Sequence, residues 1–376
     1  MKRKVAVVAN TTWYLYNFRL NLIRAFQDAG YEVLAIGPAD KYVKRLTDAG
    51  VKHIPIKVKG DGKNPLTEIL SVWKLVRVMR AEKIEFALSY TPKMNVYTAA
   101  AAKVTGAMVV PNISGLGGVF TGQTYLTILM VILYRLVLSW TPKVFFQNRD
   151  DMNFFLSEGI VDIEQALLIP GSGVDLDAFA PQTEMEVSYS DDQEFVFLVV
   201  ARMLSEKGIY EYVEAARRIR AAGSNSKVRF QLLGPLATTN PTAIPAEVIQ
   251  NWHRQGAVEY LGSVDDVRSY IRAAHCVVLA SYYREGVPRS LLEAAAMAKP
   301  IVTTNSVGCR DTVDNGQTGF LCNPRDVDDL KEKMEQMIAL SREERHVMGE
   351  KGRLKMEEEF DEKIVIARYL ELVDSL

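Results

Sequence analysis

Short apolar segments that alternate with helical stretches constrain this 376-residue chain more than any other feature. In the first half these segments are 5–9, 31–37, 53–58, 86–90, 109–113 and 144–147. In the second half they are 195–201, 228–233, 258–261, 276–280 and 301–304. Continuous apolar strands separated by helices are typical of parallel sheets that are covered on both faces. The pattern predicts an α/β protein with two doubly wound domains, and the length exceeds the roughly 250–300 residues of a single core.

A polar interval without apolar periodicity, Thr183–Gln193, separates the two halves. We therefore expect a first domain at 1–180, a linker at 181–193 and a second domain at 194–360. The end of the chain has a helical pattern, and a C-terminal helix at about 361–376 could pack back on the first domain. Ligands of open parallel sheets bind beyond the carboxyl ends of the strands, so we expect the active site in a cleft between the domains.

Charge is divided unequally between the halves, although the formal net charge is −1. Residues 1–149 contain 21 Lys and Arg against 8 Asp and Glu, a balance of +13, and the remainder carries −14. The division indicates two bodies with different partners, unless the basic residues only solvate surface helices. The total charge gives no indication of nucleic acid binding.

The cellular compartment is indicated by two weaker signals. The three cysteines show no C-x-x-C spacing, which is typical of a reducing compartment and argues against a cysteine zinc site. The first apolar run, 5–9, is too short for the core of an export signal and is better interpreted as a strand.

Two cations follow the predicted strand at 195–201. Arg202 leaves the end of this strand, and Lys207 stands with Gly208 at the start of the next helix. Cations at a strand end and at a helix N-terminus suit a diphosphate. Taken alone the pattern is weak, because exposed Arg and Lys near loops are common.

Two glutamates follow the predicted strand at 276–280. Glu285 lies in a loop, and Glu293 lies in the first turns of a helix that starts near Pro288. A carboxylate can accept two hydrogen bonds from a vicinal diol, which suits a ribose or a sugar ring. The alternative is one capping and one solvated glutamate. Together with the two cations, the pair predicts a site for a nucleotide diphosphate-sugar.

These motifs carry a resemblance to the retaining GT-B glycosyltransferases of family 4, which have two Rossmann-like domains facing across a cleft. In the second half the matching residues are Ala201-Arg202…Lys207-Gly208, Tyr260-Leu261-Gly262-Ser263-Val264, Ser281…Glu285-Gly286-Val287-Pro288…Leu292-Glu293-Ala294 and Gly308-Cys309. In the first half they are Tyr16-Asn17-Phe18-Arg19, Leu46…Gly50, Ile113-Ser114-Gly115-Leu116-Gly117 and Gly171-Ser172-Gly173-Val174-Asp175. The first half resembles bacterial enzymes that extend lipid-linked oligosaccharides, nearest to the N-acetylgalactosaminyltransferases that extend undecaprenyl-diphosphate-bacillosamine. This branch also includes capsule and O-antigen transferases.

The resemblance implies roles for the donor-side residues. Arg202 and Lys207 would hold the donor diphosphate and stabilise the leaving charge. Glu293 would bind the ribose diol, and Glu285 would contact hydroxyls of the donor sugar. The remaining donor-side contacts, made largely by the backbone, are expected from Gly286, Val287, Pro288, Arg289, Ser290, Leu291, Ser263 and Val264.

The resemblance also implies a mechanism without a catalytic nucleophile. Retention in this family is explained by front-face attack, in which the leaving diphosphate takes the acceptor proton and the protein supplies positioning and charge. Glu285 as a covalent nucleophile is the alternative. Many relatives have a histidine near the donor sugar in the first half, which has no recognisable counterpart here; Lys93 or Asn112 could stand there. Asp175-Leu176-Asp177 mimics a D-x-D motif but lies in the join, so we expect neither a metal nor another cofactor.

The acceptor side is expected in the first domain. A diphosphate suits Arg19, aromatic rings suit sugar faces, and glycines allow backbone to approach a ligand. Core packing is the alternative for the tyrosines. The expected acceptor-binding residues are Tyr14, Tyr16, Arg19, Lys93, Gly115 and Gly117.

The most apolar stretch, Tyr125–Trp140, would be about 24 Å long as a helix, which is short of the roughly 30 Å hydrocarbon core of a bilayer. It is therefore a buried or an interfacial helix. Its broad apolar face, its terminal aromatic residues and the basic first half favour peripheral attachment of the first domain to an anionic membrane surface.

Together these observations predict a retaining, metal-independent hexosyltransferase of EC 2.4.1 type. It would move a hexose or N-acetylhexosamine, with GalNAc favoured, from a UDP-sugar to a polyprenyl-diphosphate-linked saccharide at the cytoplasmic face of the membrane. The alternatives are a mannosyltransferase that uses GDP-mannose, a sugar-nucleotide epimerase of the same fold, and a non-catalytic sugar-nucleotide binder.

Overall fold

The computed structural model of the protein describes residues 3–56, 65–117, 125–181, 194–223, 227–236 and 240–376. The chain divides into two compact units. The first unit is Met1–Ser172 together with Val365–Leu376, and the second unit is Gly173–Ile364. The predicted linker lies, from residue 182 to residue 193, outside the described residues.

The first unit is built on a parallel sheet of seven described strands in the order β3-β2-β1-β4-β5-β6-β7. The order reverses between β1 and β4, which pair through Val5 and Phe86. The strands are β1 (Lys4–Val8), β2 (Glu32–Gly37), β3 (Lys52–Pro55), β4 (Phe86–Tyr90), β5 (Met108–Ile113), β6 (Val144–Phe146) and β7 (Ala166–Leu168). The helices are α1 (Thr12–Asp28), α2 (Val43–Asp48), α3 (Pro65–Glu82), α4 (Pro92–Thr105), α5 (Tyr125–Leu138) and α6 (Arg149–Ser157).

The second unit is built on a parallel sheet of six described strands in the order β10-β9-β8-β11-β12-β13. The strands are β8 (Phe195–Val200), β9 (Val228–Leu233), β10 (Glu259–Tyr260), β11 (Cys276–Leu279), β12 (Ile301–Thr304) and β13 (Gly319–Cys322). The helices are α7 (Ile209–Ala221), α8 (Ala246–Arg254), α9 (Arg268–Ala273), α10 (Arg289–Ala296), α11 (Val327–Ala339) and α12 (Arg342–Glu359). A last helix, α13 (Glu362–Ser375), begins in this unit and continues into the first unit. The prediction of two doubly wound α/β domains is confirmed.

Each sheet is covered on both faces, which explains the continuous apolar strands. In the first unit, α3, α4 and α5 pack on one face and α1 and α13 on the other. Local signals set the helix starts: the Thr11 hydroxyl accepts the Tyr14 amide at 3.1 Å, and Asn148 caps α6 through the Asp151 amide at 2.7 Å. The sequence patterns missed β7 and β13, because β7 is only half-buried at one edge and β13 begins with Gly319 at the other.

The boundary between the units lies at residue 172 and not at residue 180 as predicted. The Val174 amide donates to the Phe360 carbonyl at 2.8 Å, and the Glu362 amide donates to the Val174 carbonyl at 3.0 Å. Arg353 donates to the carbonyls of Leu176 and Phe179 at 3.1 and 3.2 Å. These bonds attach residues 173–180 to the second unit.

The C-terminal helix α13 starts in the second unit and ends in the first. Residues from Val365 onward belong to the first unit, where Tyr369 and Val373 are fully buried. The Asn112 amide donates to the Tyr369 hydroxyl at 2.8 Å, and the Tyr31 hydroxyl donates to the Asp374 carboxylate. The last turns of α13 therefore complete the core of the first unit.

The close approach at Gly173 gives a test of the boundary. Gly173 has φ +69°, and a Cβ there would lie 2.4 Å from the Glu362 Cα. Gly256, also in the second unit, has φ +70° with open space around it. We expect Gly256→Ala to lower the free energy of unfolding by about 1 kcal/mol and Gly173→Ala by about 3 kcal/mol, because only the latter must move backbone. Urea unfolding measures both changes, and equal losses would contradict the contact.

Candidate functional site

The turn between β8 and α7 lies against the end of β11 because residue 208 is a glycine. Gly208 has φ +71°, and a Cβ there would stand 2.0 Å from the Ala280 carbonyl oxygen. A short 3₁₀ turn, Ser205–Lys207, precedes it. The two strands are neighbours in the sheet, so the turn brings Lys207 to the residues that follow β11.

Lys207 and Glu285 form an ion pair at this edge of the sheet. The Lys207 ammonium donates to the Glu285 carboxylate, and the two side chains are only 13% and 12% exposed. The Ser281 hydroxyl donates to the same carboxylate oxygen at 3.0 Å. The Lys207 Nζ also lies 5.4 Å from the centre of the Tyr283 ring. The structure thus brings together two of the three predicted catalytic residues and holds their charges in place.

The loop that carries Glu285 is fixed from two sides. The amides of Tyr282 and Tyr283 donate to the Glu206 carbonyl at 3.1 and 3.2 Å. The Ser281 carbonyl accepts from the hydroxyls of Thr304 and Ser306, the latter at 2.9 Å. Such a loop keeps its geometry in the absence of a ligand, which lowers the cost of reorganisation during a reaction.

An outer contact holds the other side of this loop. The Arg325 guanidinium carbon lies 4.3 Å from the centre of the Tyr282 ring. The sequence patterns missed this arginine and the serines at 281 and 306 as site residues. Ser281 begins the motif that contains Glu285 and could have been predicted from it. Arg325 is distant in sequence from that motif and belongs to no other.

Glu293 is held by the side chain of Arg289 on the first turns of α10. The Arg289 Nε donates to the Glu293 Oε1 at 2.9 Å, and the side chains are 14% and 13% exposed. Burial raises the pKa of Glu293, and the neighbouring Arg289 charge works in the opposite direction. Arg289, which was expected to contribute backbone contacts, therefore also orients the carboxylate predicted to bind a diol.

The N-terminus of α10 presents backbone donors. Pro288 precedes the helix and supplies no side-chain cap. Within the described part of the chain, the amides of Val287 and Ser290 make no hydrogen bond. Leu291 does not line the site as predicted: its side chain is fully buried, and its amide donates to the Pro288 carbonyl at 3.1 Å. Its apolar side chain supports α10 from the core.

The other donor-side residues also follow strand ends. Arg202 is exposed just beyond β8, and its guanidinium makes no hydrogen bond or ion pair with the described residues. Beyond β10, the Gly262 carbonyl accepts the Gly234 amide at 2.8 Å. Ser263 is exposed, and Val264 is half-buried against the core.

The predicted acceptor residues separate into different groups in the first unit. Arg19 donates to the Tyr14 hydroxyl at 2.9 Å and is only 1% exposed, so it does not lie on the surface as a diphosphate ligand would require. Tyr16 lies elsewhere, with its ring 6.0 Å from the Tyr42 ring. Lys93 is paired with Glu68 at 3.0 Å.

The glycine-rich loop after β5 has the conformation that its glycines allow. Gly115 has φ +98° and Gly117 has φ +65°. Gly118 lies outside the described residues. The loop follows β5 at the same carboxyl edge of the first sheet as Tyr90, the last residue of β4.

The aspartates of the D-x-D-like segment have structural partners. The Asp175 carboxylate accepts the amides of Asp177 and Ala178 at 3.1 and 2.8 Å, and Asp177 pairs with Lys363 at 3.3 Å. Across the described ranges, no three His, Cys, Asp or Glu side chains converge as metal ligands. His275 is structural: burial lowers its pKa to about 4, and its Nδ1 accepts the Val196 amide at 3.1 Å.

Comparison with known proteins gives matches to both halves. Residues 4–148 match the family model described as glycosyl transferase 4-like, and residues 182–355 match the model described as glycosyl transferases group 1. The chain is 28% identical over 375 residues to the N,N'-diacetylbacillosaminyl-diphospho-undecaprenol alpha-1,3-N-acetylgalactosaminyltransferase of Campylobacter jejuni, covering 96% of this chain and 95% of the relative.

Two further matches are more distant. The chain is 24% identical over 269 residues to the UDP-Gal:alpha-D-GlcNAc-diphosphoundecaprenol alpha-1,3-galactosyltransferase of Escherichia coli, covering 70% of this chain and 68% of the relative. The crystal structure of Anabaena Alr3699/HepE in complex with UDP and glucose superposes with a TM-score of 0.81 at 18% identity, covering 100% of both chains. This last likeness shows the GT-B fold.

The ion pair of Lys207 and Glu285 gives a stability test. Lys207→Met leaves a mostly buried carboxylate without its counter-charge, so we expect a loss of about 3 kcal/mol in the free energy of unfolding. Adding Glu285→Gln should recover part of that loss. The control is the exposed pair of Lys44 and Asp48 on α2, with N and O 2.8 Å apart, where the coupling should be much smaller because water screens both charges. Urea unfolding of both double-mutant cycles measures this, and equal coupling energies would contradict the assignment.

Proposed function

The chain is a GT-B glycosyltransferase whose halves match the glycosyl transferase 4-like and group 1 models, and from this premise we propose its reaction. It transfers N-acetylgalactosamine, or a related hexose or N-acetylhexosamine, from a UDP-sugar to a polyprenyl-diphosphate-linked saccharide. The observation that carries the proposal is the Lys207–Glu285 pair at the carboxyl edge of the second sheet. The names of the Campylobacter and Escherichia relatives, which both include an undecaprenyl-linked acceptor, support the acceptor class.

In the proposed donor site the cations bind the diphosphate. Glu285 takes one of the three N–H donors of Lys207, which leaves others for phosphate oxygens. Arg202, exposed beyond the neighbouring strand β8, adds a planar guanidinium that suits a phosphate. The amides of Val287 and Ser290 at the start of α10 add N–H groups whose partial positive charge also attracts the phosphates.

The carboxylates of the proposed donor site bind hydroxyl groups. Glu293, oriented by Arg289, accepts hydrogen bonds from the ribose diol. Glu285 orients hydroxyls of the transferred sugar while Lys207 and Ser281 hold its carboxylate in position. Ser263 and the backbone beside Val264 bind the base.

The proposed reaction retains the anomeric configuration. A carboxylate that already accepts hydrogen bonds from an ammonium and a hydroxyl is a weak nucleophile, so Glu285 stabilises charge and forms no covalent intermediate. The acceptor hydroxyl attacks the anomeric carbon of the donor sugar from the face on which the bond to the diphosphate breaks. It gives its proton to an oxygen of the leaving diphosphate. Lys207 and Arg202 supply the positive charge that the leaving group needs, and the proposed reaction uses no metal.

A donor panel tests this function. Purified protein is incubated with UDP-GalNAc, UDP-Gal, UDP-GlcNAc and GDP-mannose, each with and without an undecaprenyl-diphosphate-linked saccharide and with EDTA. We expect UDP release from UDP-GalNAc only when the acceptor is present, undiminished by EDTA. Lys207→Ala and Glu285→Ala should each lower kcat at least 100-fold, because charge stabilisation is lost in the transition state.

Each other outcome of the panel identifies an alternative. Conversion of the donor without an acceptor would indicate an epimerase, and release of GDP from GDP-mannose would indicate a mannosyltransferase. Binding of UDP without turnover under any condition would indicate a non-catalytic binder. Full activity of the Lys207→Ala variant would show that the site is assigned wrongly. Lys351→Ala, which removes an exposed cation on α12, serves as the control that keeps wild-type activity.

We also propose that the first unit binds an anionic membrane at the cytoplasmic face. None of the described helices has both the length and the apolar character to cross a bilayer. Helices α3 and α5 nevertheless expose large apolar side chains, with Ile128 62% and Leu70 58% exposed. This α3/α5 surface consists of Ile69, Leu70, Trp73, Ile128, Leu129, Ile132 and Leu136.

Charge on the same helices supports an anionic lipid surface as the partner. Lys74, Arg77 and Arg80 are exposed on α3, Lys103 on α4 and Arg135 on α5. The three helices cover one face of the first sheet, so the basic and apolar residues belong to one side of the unit. Anionic lipids attract each such cation by about 1 kcal/mol near the surface, which adds to burial of the apolar side chains.

Vesicle flotation tests the membrane surface. With vesicles that contain anionic phosphatidylglycerol we expect the wild-type protein to float, and the Leu129→Glu/Ile132→Glu variant to lose at least tenfold in bound fraction. Leu354→Glu, which changes an equally exposed leucine on α12 of the second unit, should bind as the wild type does. A bound fraction that changes neither with salt concentration nor with the α5 substitutions would contradict the proposal.

A further inference from the structure

A buried arginine lies at the point where the strand order of the first sheet reverses. Arg19 lies on α1, the helix that follows β1, and is 1% exposed. Its guanidinium carbon lies 4.1 Å from the centre of the ring of Tyr90, the last residue of β4. Strands β1 and β4 are the neighbours at which the order reverses. In open α/β sheets, ligands bind in the crevice beyond the strand ends at this point.

Within the described residues the charge of Arg19 faces the rings of Tyr14 and Tyr90 but no negatively charged group. No carboxylate there pairs with it, and its Nε is buried without a hydrogen-bond partner. Its one hydrogen bond from a terminal nitrogen goes to the Tyr14 hydroxyl at 2.9 Å. A buried cation without a counter-charge is costly, and a polar ligand or anion beside it would offset that cost.

Tyr14 is the hydrogen-bond partner of this buried charge and is itself partly accessible to solvent. Tyr14 is half-buried, whereas Arg19 is enclosed. Because the hydroxyl oxygen accepts a hydrogen bond from the guanidinium, its own O–H is left to donate. The result is a phenolic donor backed by a positive charge, which favours a negatively charged oxygen as its acceptor.

A second buried polar atom lies at the same strand end. Thr91 follows Tyr90 directly and has φ +74°, and its hydroxyl oxygen is buried without a partner. Buried hydroxyls are nearly always hydrogen-bonded in folded proteins, so this oxygen, like the Arg19 Nε, indicates a missing polar neighbour.

We propose that this crevice binds a diphosphate, that of the lipid-linked acceptor. Tyr14 donates to a phosphate oxygen, and Arg19 is a positioning residue that orients the Tyr14 hydroxyl and adds its charge from behind. The inference rests on the proposed function, because that function supplies a diphosphate-linked acceptor. The donor also carries a diphosphate, and the test distinguishes the two sources.

Kinetics with two acceptors tests the subsite. One acceptor carries the saccharide on undecaprenyl diphosphate, and the other carries the same saccharide on an uncharged alkyl chain. For Tyr14→Phe we expect the KM for the diphosphate acceptor to rise about tenfold, the value for losing one charge-assisted hydrogen bond. The KM for the alkyl acceptor, the KM for the UDP-sugar and kcat should stay within twofold of wild type.

Variants of Arg19 separate positioning from structure. Arg19→Lys keeps the charge and should raise the KM for the diphosphate acceptor less than Arg19→Met does. The rise for Arg19→Met should be at least as large as the rise for Tyr14→Phe. Tyr31→Phe is the control, because it likewise removes a tyrosine hydroxyl that makes a hydrogen bond in the first unit. The Tyr31 hydroxyl donates to Asp374 of α13 and lies outside the crevice. Tyr31→Phe should leave both acceptor KM values unchanged. If Arg19→Met does not fold, as circular dichroism would show, Tyr14→Phe alone decides.

The contradicting outcomes are distinct. A KM that rises equally for both acceptors, or a Tyr31→Phe variant that behaves like Tyr14→Phe, would show that these residues only stabilise the fold. A rise in the KM for the UDP-sugar would place the donor diphosphate in the crevice. Wild-type protein that transfers sugar to neither acceptor would refute the proposed function itself, and the subsite with it.

Discussion

The ion pair between Lys207 and Glu285 is the interaction on which the candidate donor site depends. It joins the turn after β8 to the loop after β11, and both segments are held by contacts of their own: Gly208 against Ala280, and the Ser281 carbonyl against Ser306. Because both charges are mostly shielded from water, their positions are set before a ligand arrives. A preorganised pair of this kind can stabilise a leaving diphosphate without the reorganisation that water would need.

The uneven charge of the two halves has a structural counterpart in each unit. In the acidic second unit, the cations of the candidate donor site, Lys207 and Arg202, follow the end of a strand. In the basic first unit, exposed cations on α3 accompany exposed apolar side chains, and the guanidinium of the enclosed Arg19 lies against Tyr90 at the end of β4. We interpret the near-zero net charge as the sum of a donor site in one unit and a surface for a lipid-linked, negatively charged acceptor in the other.

Features that depend on residues close together in the sequence were predicted better than features that depend on distant residues. Strand and helix periodicity predicted both parallel sheets, and position after a strand predicted that Lys207 and Glu285 belong together. The short edge strands β7 and β13 and the boundary at residue 172 were missed, since edge burial and the backbone bonds of Val174 depend on residues far away in sequence.

Side-chain direction was harder to predict than position along the chain. Tyr14 and Tyr16 are two residues apart on α1 and point to different neighbours, because successive residues of a helix turn by about 100°. Arg19 was expected to be accessible, as arginines usually are, but the rings of Tyr14 and Tyr90 enclose it. The i,i+4 spacing of Arg289 and Glu293 could have predicted their hydrogen bond.

The anomeric configuration of the product tests the central claim most directly. UDP-GalNAc is an α-linked donor, and in the proposed reaction, with Glu285 held by Lys207 and Ser281, the acceptor attacks the anomeric carbon from the face that the diphosphate leaves. The saccharide formed on the lipid-linked acceptor is isolated, and the coupling constant of its new anomeric proton is measured by NMR. The account predicts an α linkage. A β linkage would contradict it, because inversion needs a base on the opposite face of the sugar.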